Sequence, residues 1–397
     1  MGVTRRELFN RWRSAPAVAV GPWAGATLSA RGLEDETAAV WRGEAPQTPA
    51  PGIKISSNEN PVGPGRAVLA AVEAQLGQVM RYPFNSTPPD SALAQAIAAA
   101  HKVPVDHVML GVGSQEVLKL AVWGFTNPAR HLVTATPTFE NATTVARRLG
   151  HPVVEIKVDG QFRLDLEGML TQARGAGLIF VNNPNNPTAT VHSGKTIANF
   201  VDRVRRISPD TVILIDEAYH DYVTDPTYET AVPLALSTPN VFVARTFSKA
   251  YGMAGMRIGY AIGQPDTIRP MARLRMPYSI GVLGVVAAVT ALQDTAHMAA
   301  ERERNTQVRT FTQRALEDLG CKCTASQTNF LFVDIGRSAA DFRNGCAKQG
   351  VQVGRDFPPF EGSHARISIG TMAEMQKAVE VFRRVLRPAA GRPGQEL

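Results

Sequence analysis

Only three cysteines, Cys321, Cys323 and Cys346, occur in the 397 residues. Their odd number leaves no complete set of disulfides. A Cys-x-Cys pair with no companion cysteine or histidine cluster is also poor zinc spacing, so reduced thiols and no metal site are expected. Also missing is an apolar run long enough to span a membrane. No internal repeat appears, and no Lys/Arg-rich stripe with interleaved aromatics. The formal charge of +7 is therefore poor support for a nucleic-acid partner. It is also unevenly placed: residues 1–31 hold Arg5, Arg6, Arg11, Arg13 and Arg31 against Glu7 alone, and the remaining +3 is spread over the body.

The N-terminal stretch has two readings. Thr4-Arg5-Arg6-Glu7-Leu8-Phe9 follows the twin-arginine export pattern, with a moderately apolar stretch to Ala30 ending in the small residues Ser29-Ala30. Read so, residues 1–30 are a signal and the protein is periplasmic. Read as a basic extension, they belong to a cytoplasmic enzyme. Glu34 to Pro51 is polar and carries Pro46, Pro49 and Pro51, the composition of a linker or extended arm.

Seven apolar, β-branched runs follow: Val108–Val112, His131–Ala135, Val153–Lys157, Leu178–Val181, Val212–Ile215, Val241–Ala244 and Ile258–Ile262. Most are separated by amphipathic segments such as Glu116–Phe125 and Thr196–Arg206. Near-continuous apolar strands alternating with helices predict an α/β fold, a mainly parallel sheet covered on both faces. Ligands collect at the carboxyl ends of such strands. Gly113-Ser114, Asn182–Asn186, Asp216 and Lys249 stand there. After about residue 290 the pattern changes to a long charged helix, a strand, a helix, the strand Ala365–Ile369 and a last helix, a smaller α+β domain. The expected division is a leader and arm over 1–51, a small domain over 52–80 and 291–387, a large domain over 81–290, and a tail over 388–397.

Chemistry concentrates at residues 246–259, Thr-Phe-Ser-Lys-Ala-Tyr-Gly-Met-Ala-Gly-Met-Arg-Ile-Gly. One lysine, Lys249, lies among hydroxyls and glycines, with Arg257 eight residues on. A lysine that captures an aldehyde needs small neighbours and a nearby anion anchor, and a guanidinium fork suits a phosphate. Asp216 ends an apolar strand, where a buried carboxylate is costly unless a cationic partner meets it. Gly113, Ser114 and Gln115 follow a strand and open a helix, so their backbone N–H groups face an anion.

These pieces stand in order with others: Ser-Asn-Glu-Asn-Pro-Val-Gly-Pro at 57–64, Arg-Tyr-Pro at 81–83, Pro-Thr-Phe at 137–139, Asn-Pro-Asn-Asn-Pro-Thr at 183–188, Asp-Glu-Ala-Tyr at 216–219 and Ala-Arg-Ile-Ser-Ile-Gly at 365–370. From about Ile55 to Arg384 the chain resembles the fold-type-I pyridoxal-phosphate aminotransferases, closest to the histidinol-phosphate branch. The resemblance implies a seven-stranded, mainly parallel sheet in a large domain beside a smaller α+β domain. It implies pyridoxal 5′-phosphate held as a Schiff base by Lys249, and Asp216 at the ring nitrogen. Asn186 and Tyr219 would meet the phenolic oxygen, and Phe139 would stack on the ring. Gly113, Ser114, Gln115, Thr246, Ser248 and Arg257 would take the phosphate. Tyr82 would reach the phosphate from the neighbouring subunit of a homodimer. Arg366, Arg355 and Asn60 would face the substrate; Asn58 lies in the same arm. Ala189 replaces a glycine usual after Asn-Asn-Pro-Thr, so a positive φ there would strain it.

Transamination between an amino donor and a 2-oxo acid follows. The substrate is open between histidinol phosphate and an aromatic or other amino acid. Gln47–Gly52 lacks the tyrosine that histidinol-phosphate enzymes carry there, which counts against the phosphate ester. A decarboxylase or lyase on the same scaffold is the alternative.

Overall fold

The computed structural model describes residues 52–83 and 89–386. The leader, the proline-rich arm and the C-terminal tail read from the sequence lie outside the described residues. Among the described residues twelve strands run in chain order: β1 (Ile53–Ile55), β2 (Val108–Val112), β3 (Leu132–Thr136), β4 (Val153–Lys157), β5 (Leu178–Asn182), β6 (Val212–Asp216), β7 (Val241–Thr246), β8 (Ile258–Gly263), β9 (Lys322–Cys323), β10 (Phe330–Asp334), β11 (Val351–Val353) and β12 (His364–Ser368).

Seven of them form one sheet in the order β2-β8-β7-β6-β5-β3-β4, and β8 alone runs against its neighbours. The apolar runs separate here into two faces, because alternate side chains of a strand point to opposite sides. Ile213 and Ile215 enter one core with Ile179, Val181, Val241 and Val243. Val212 and Leu214 enter the other with Leu178, Phe180, Phe242 and the Ser114–Phe125 helix residues Val117, Leu118 and Ala121. The inner strands therefore had to be largely apolar on both sides, which is why they show no alternation in the sequence, whereas β4 at the sheet edge keeps Glu155 and Lys157 exposed.

A third core gathers Ile55, Val308, Leu316, Leu331, Val333, Phe342, Val353, Ile367 and Phe382. It is built on the antiparallel sheet β12-β10-β9 and on the helices Thr295–Glu317, Ala339–Ala347 and Met372–Leu386. Asp294 and Ser338 cap the first two of these helices, their side chains accepting from His297 N and Asp341 N. The early segment divides between the cores. β1 pairs in parallel with β11, whereas the Arg66–Gln75 helix packs on the Val282–Gln293 helix and sends Val68 into the first core. Both short strands escape a sequence reading because three residues are too few to show a period. Among the described residues no single helix is long and apolar enough to cross a membrane.

Candidate active site

The carboxyl ends of β2, β5, β6 and β7 lie along one edge of the large sheet, with β8 between β2 and β7, and face one pocket. At one end of it lies an anion cradle. Gly113 has φ +72°, and a Cβ there would come within 2.4 Å of Arg257 Nη2, so the guanidinium rests against bare backbone. Arg257 itself has φ +56° and accepts Gly113 N–H at its carbonyl, 2.9 Å. Its Nη1 donates to Ala254 O at 2.8 Å and faces Ser248 Oγ at 3.4 Å, while Nη2 faces Gln115 Oε1 at 3.4 Å. Thr246 Oγ1 donates to Ser248 Oγ at 3.0 Å and accepts Ser248 N–H. Gly259 of β8 backs this cradle: a Cβ there would lie 2.2 Å from Ser114 N. Two hydroxyls, a guanidinium and the start of a helix form a donor set suited to a phosphate.

Lys249 follows directly. Its Nζ lies 5.6 Å from the Tyr219 ring centroid and 3.4 Å from Ser57 O. Burial draws its pKa down to about 8, helped by the cations Arg366 and Arg257. Asp216 is buried at the end of β6 and accepts one N–H, from Ala218 at 3.2 Å. Burial raises its carboxyl to about 7, with Glu217 adding to the effect while the Ala218 N–H and Lys249 oppose it. An acid held so far from its ordinary range fits a ligand that brings a positive charge or a proton to it. Tyr219 is buried against Phe330, and burial lifts its hydroxyl to about 12 despite Arg366 and a hydrogen bond from Asn58. Phe139 packs, half-buried, at the edge of the second core.

Arg366, on β12, crosses into the same pocket. Nη1 donates to Asn186 Oδ1 at 2.8 Å and Nη2 to Ser56 O at 2.6 Å, and the guanidinium lies over Phe357 at 4.7 Å. Arg355 lies over the same ring at 4.3 Å, and its Nη2 meets both carboxylate oxygens of Glu140, at 2.7 and 2.5 Å. Glu140 directly follows Phe139, and no pattern in the sequence links it to a residue 215 positions later. Asn60, expected at the substrate, has its amide engaged within the protein: Nδ2 donates to Ala250 O at 2.9 Å and Oδ1 accepts Val62 N–H. It ties the arm to the residue after Lys249. Tyr82 is 74% exposed, its ring 6.3 Å from that of Tyr278. Ala189 does hold a positive φ, +65°. A cleft lined by Ser57, Glu59, Asn60, Ser248, Gly252 and Ser368 adjoins the lysine. Among the described residues no group of His, Cys, Asp and Glu could hold a metal ion.

Comparison with known proteins gives the family and the fold. The family model for aminotransferase class I and II matches residues 50–382. A histidinol-phosphate aminotransferase of Moorella thermoacetica is 33% identical over 336 residues, 84% of this chain and 85% of that protein. An aromatic amino acid aminotransferase of Mycolicibacterium paratuberculosis is 34% identical over 81% of this chain and 88% of its own. The crystal structure of histidinol-phosphate aminotransferase from Sinorhizobium meliloti, in complex with pyridoxal-5′-phosphate, superposes with a TM-score of 0.78 at 27% identity, covering 84% of this chain and 90% of that one.

Proposed function

The chain belongs to the class I and II aminotransferases, pyridoxal-phosphate-dependent enzymes that move an amino group between a donor and a 2-oxo acid, and on that premise we propose how its pocket performs the reaction. When bound, pyridoxal phosphate supplies an aldehyde that joins amines covalently and a ring that accepts the electron pair left at the substrate α-carbon. Gly113, Ser114, Gln115, Thr246, Ser248 and Arg257 would hold the phosphate, and Phe139 would cover the ring. Asp216 would hold the proton on the ring nitrogen; in turn the positive nitrogen would restore to Asp216 the charge that burial denies it. Asn186 has its Oδ1 taken by Arg366, so Nδ2 is the end left to donate, together with Tyr219 O–H, to the phenolic oxygen.

Lys249 would be the amine that captures the aldehyde. Freed by the incoming substrate, it would take the α-proton and return it one carbon away. Its pKa of about 8 keeps a useful neutral fraction near neutral pH. Arg366, already oriented by Asn186 and Ser56, would grip the substrate carboxylate and so set the α-carbon over that amine. The observation that carries this reading is the grouping of Lys249, Tyr219, Asp216 and Arg366: Lys249 Nζ lies 5.6 Å from the Tyr219 ring, Arg366 reaches Asn186, and Asp216 and Arg366 both act on the titration of Lys249 and of Tyr219.

Glu140 bears on the substrate. A second anionic group on a substrate has to displace its carboxylate from Arg355, so the pocket favours side chains without charge, aromatic ones included, over a phosphate ester. A second copy of the chain would complete the site through Tyr82; exposed Val79, Met80, Tyr82, Met276 and Tyr278 are consistent with such a contact.

A panel of donors and acceptors with the cofactor-loaded protein tests this. Wild type is expected to transaminate aromatic amino acids faster than histidinol phosphate. Lys249→Ala is expected to lose both the visible absorbance of bound cofactor and turnover. An unchanged spectrum with full turnover in that variant removes the site assignment. Histidinol phosphate leading the panel removes the Glu140 argument, and carbon dioxide release without need of an acceptor identifies the lyase.

A further inference from the structure

Asn58 is buried to 1% exposure and held at φ +55°, a conformation that costs a non-glycine residue free energy. The reaction outlined above gives it no task. Its polar groups are nonetheless engaged with residues far away in sequence. Asn58 N–H donates to Ser368 Oγ at 2.9 Å, and that hydroxyl donates back to Asn58 Oδ1 at 2.6 Å. The Asn58 carbonyl accepts Asn329 Nδ2 at 3.0 Å. With Oδ1 filled by a donor, the amide can turn only one way, and Nδ2 donates to Tyr219 Oη at 3.1 Å. The tyrosine oxygen therefore acts as an acceptor from Asn58 and retains one proton to give. Among the described residues no protein acceptor takes it, although Tyr219 is almost fully buried.

We propose that Asn58 is a positioning residue: it fixes the Tyr219 hydroxyl as a one-way donor to the ligand's phenolic oxygen, and Ser368 and Asn329 tie that setting to the second sheet. The inference rests on Tyr219 facing the cofactor as stated under Proposed function. Physically, an O–H that already accepts a hydrogen bond is a better donor, and a donor with a single orientation loses less freedom when it meets an anionic oxygen. Ser368 lies on β12, two residues after Arg366. Movement of the strand that grips the substrate would thus reach the electronics of the ring through two hydrogen bonds.

The test follows the visible band of the pyridoxal-phosphate-loaded protein through a pH titration, with urea unfolding of the same variants alongside. Donation to the phenolic oxygen lowers the pH at which the band changes. Tyr219→Phe is expected to raise that pH. Asn58→Ala is expected to raise it by a smaller amount, about half to one pH unit, the weight of one neutral hydrogen bond. Ser368→Ala, which releases the amide without removing it, should shift it the same way, and it serves if Asn58→Ala does not fold. In the Tyr219→Phe background, Asn58→Ala is expected to add nothing.

A lower urea midpoint for Asn58→Ala and Ser368→Ala with no movement of the band overturns the proposal and leaves a merely structural asparagine. A full additional shift in the double variant also overturns it, since Asn58 would then act without Tyr219. If Tyr219→Phe itself leaves the band in place, the placement of Tyr219 at the cofactor fails, and the relay with it.

Discussion

Asp216 and Glu217 are consecutive acids at the end of one strand, yet they occupy opposite situations. Glu217 belongs by alternation to the side of Ile213 and Ile215, and every oxygen it has is engaged. Arg245 donates from Nε at 3.0 Å and Nη2 at 2.7 Å, Thr230 Oγ1 at 2.9 Å, and Ala231 N at 2.6 Å. Asp216 belongs to the side of Val212 and Leu214, where the Ser114–Phe125 helix packs, and accepts a single backbone N–H. Both are buried to the same 2% exposure, so depth alone separates nothing. The partners decide: a carboxylate supplied with a cation and two further donors is structural, and one left almost bare has room for a partner that the protein itself does not supply.

The sharpest way to break this contrast is to exchange the two acids' consequences. Asp216→Ala is expected to lower turnover of the loaded protein about a hundredfold or more, while the cofactor-free protein unfolds at the same urea concentration or a higher one. Glu217→Gln should do the reverse. It leaves Arg245 charged and buried without its counter-ion, at a cost of about 3–5 kcal/mol by urea unfolding, with turnover per folded molecule far less affected. Loss of turnover without loss of stability in Glu217→Gln would dissolve the distinction.

The smallest effect concerns pH. Burial raises the Asp216 carboxyl from 3.8 to about 7 in the folded, cofactor-free chain. Between about pH 4 and 7 the unfolded chain has released this proton and the folded chain has not, so this group's contribution to stability falls as pH rises through that window and levels above it. Asp216→Asn removes the titration. Its urea midpoint, measured against wild type at pH 5 and pH 7.5, should gain on wild type at the higher value. A constant difference would show that Asp216 titrates near its ordinary value.

Much of this is legible in the sequence itself. Apolar runs gave all seven strands of the large sheet within a residue or two, because strands covered on both faces are mostly apolar along their whole length. The lysine run and Asp216 were legible because chemistry there demands residue types that a core would otherwise reject. The Glu217–Arg245 pair leaves a trace in the sequence: an arginine inside Val-Phe-Val-Ala-Arg-Thr calls for a buried carboxylate nearby. Glu140 with Arg355, and Asn58 with Ser368, left none, since long-range pairs between ordinary polar residues have neither period nor composition. Ala189 stood between. Its departure from glycine was visible, and the positive φ that makes it matter is visible only in the fold.

β8 is the one strand of the large sheet that runs against its neighbours, and Gly259 sits on it with nothing but a hydrogen between its backbone and Gly113–Ser114. A methyl group at that point would act as a wedge, forcing the two backbones more than an ångström apart and tilting the first N–H groups of the helix away from Arg257. The reversed strand is thus the gauge that fixes how deep an anion can settle.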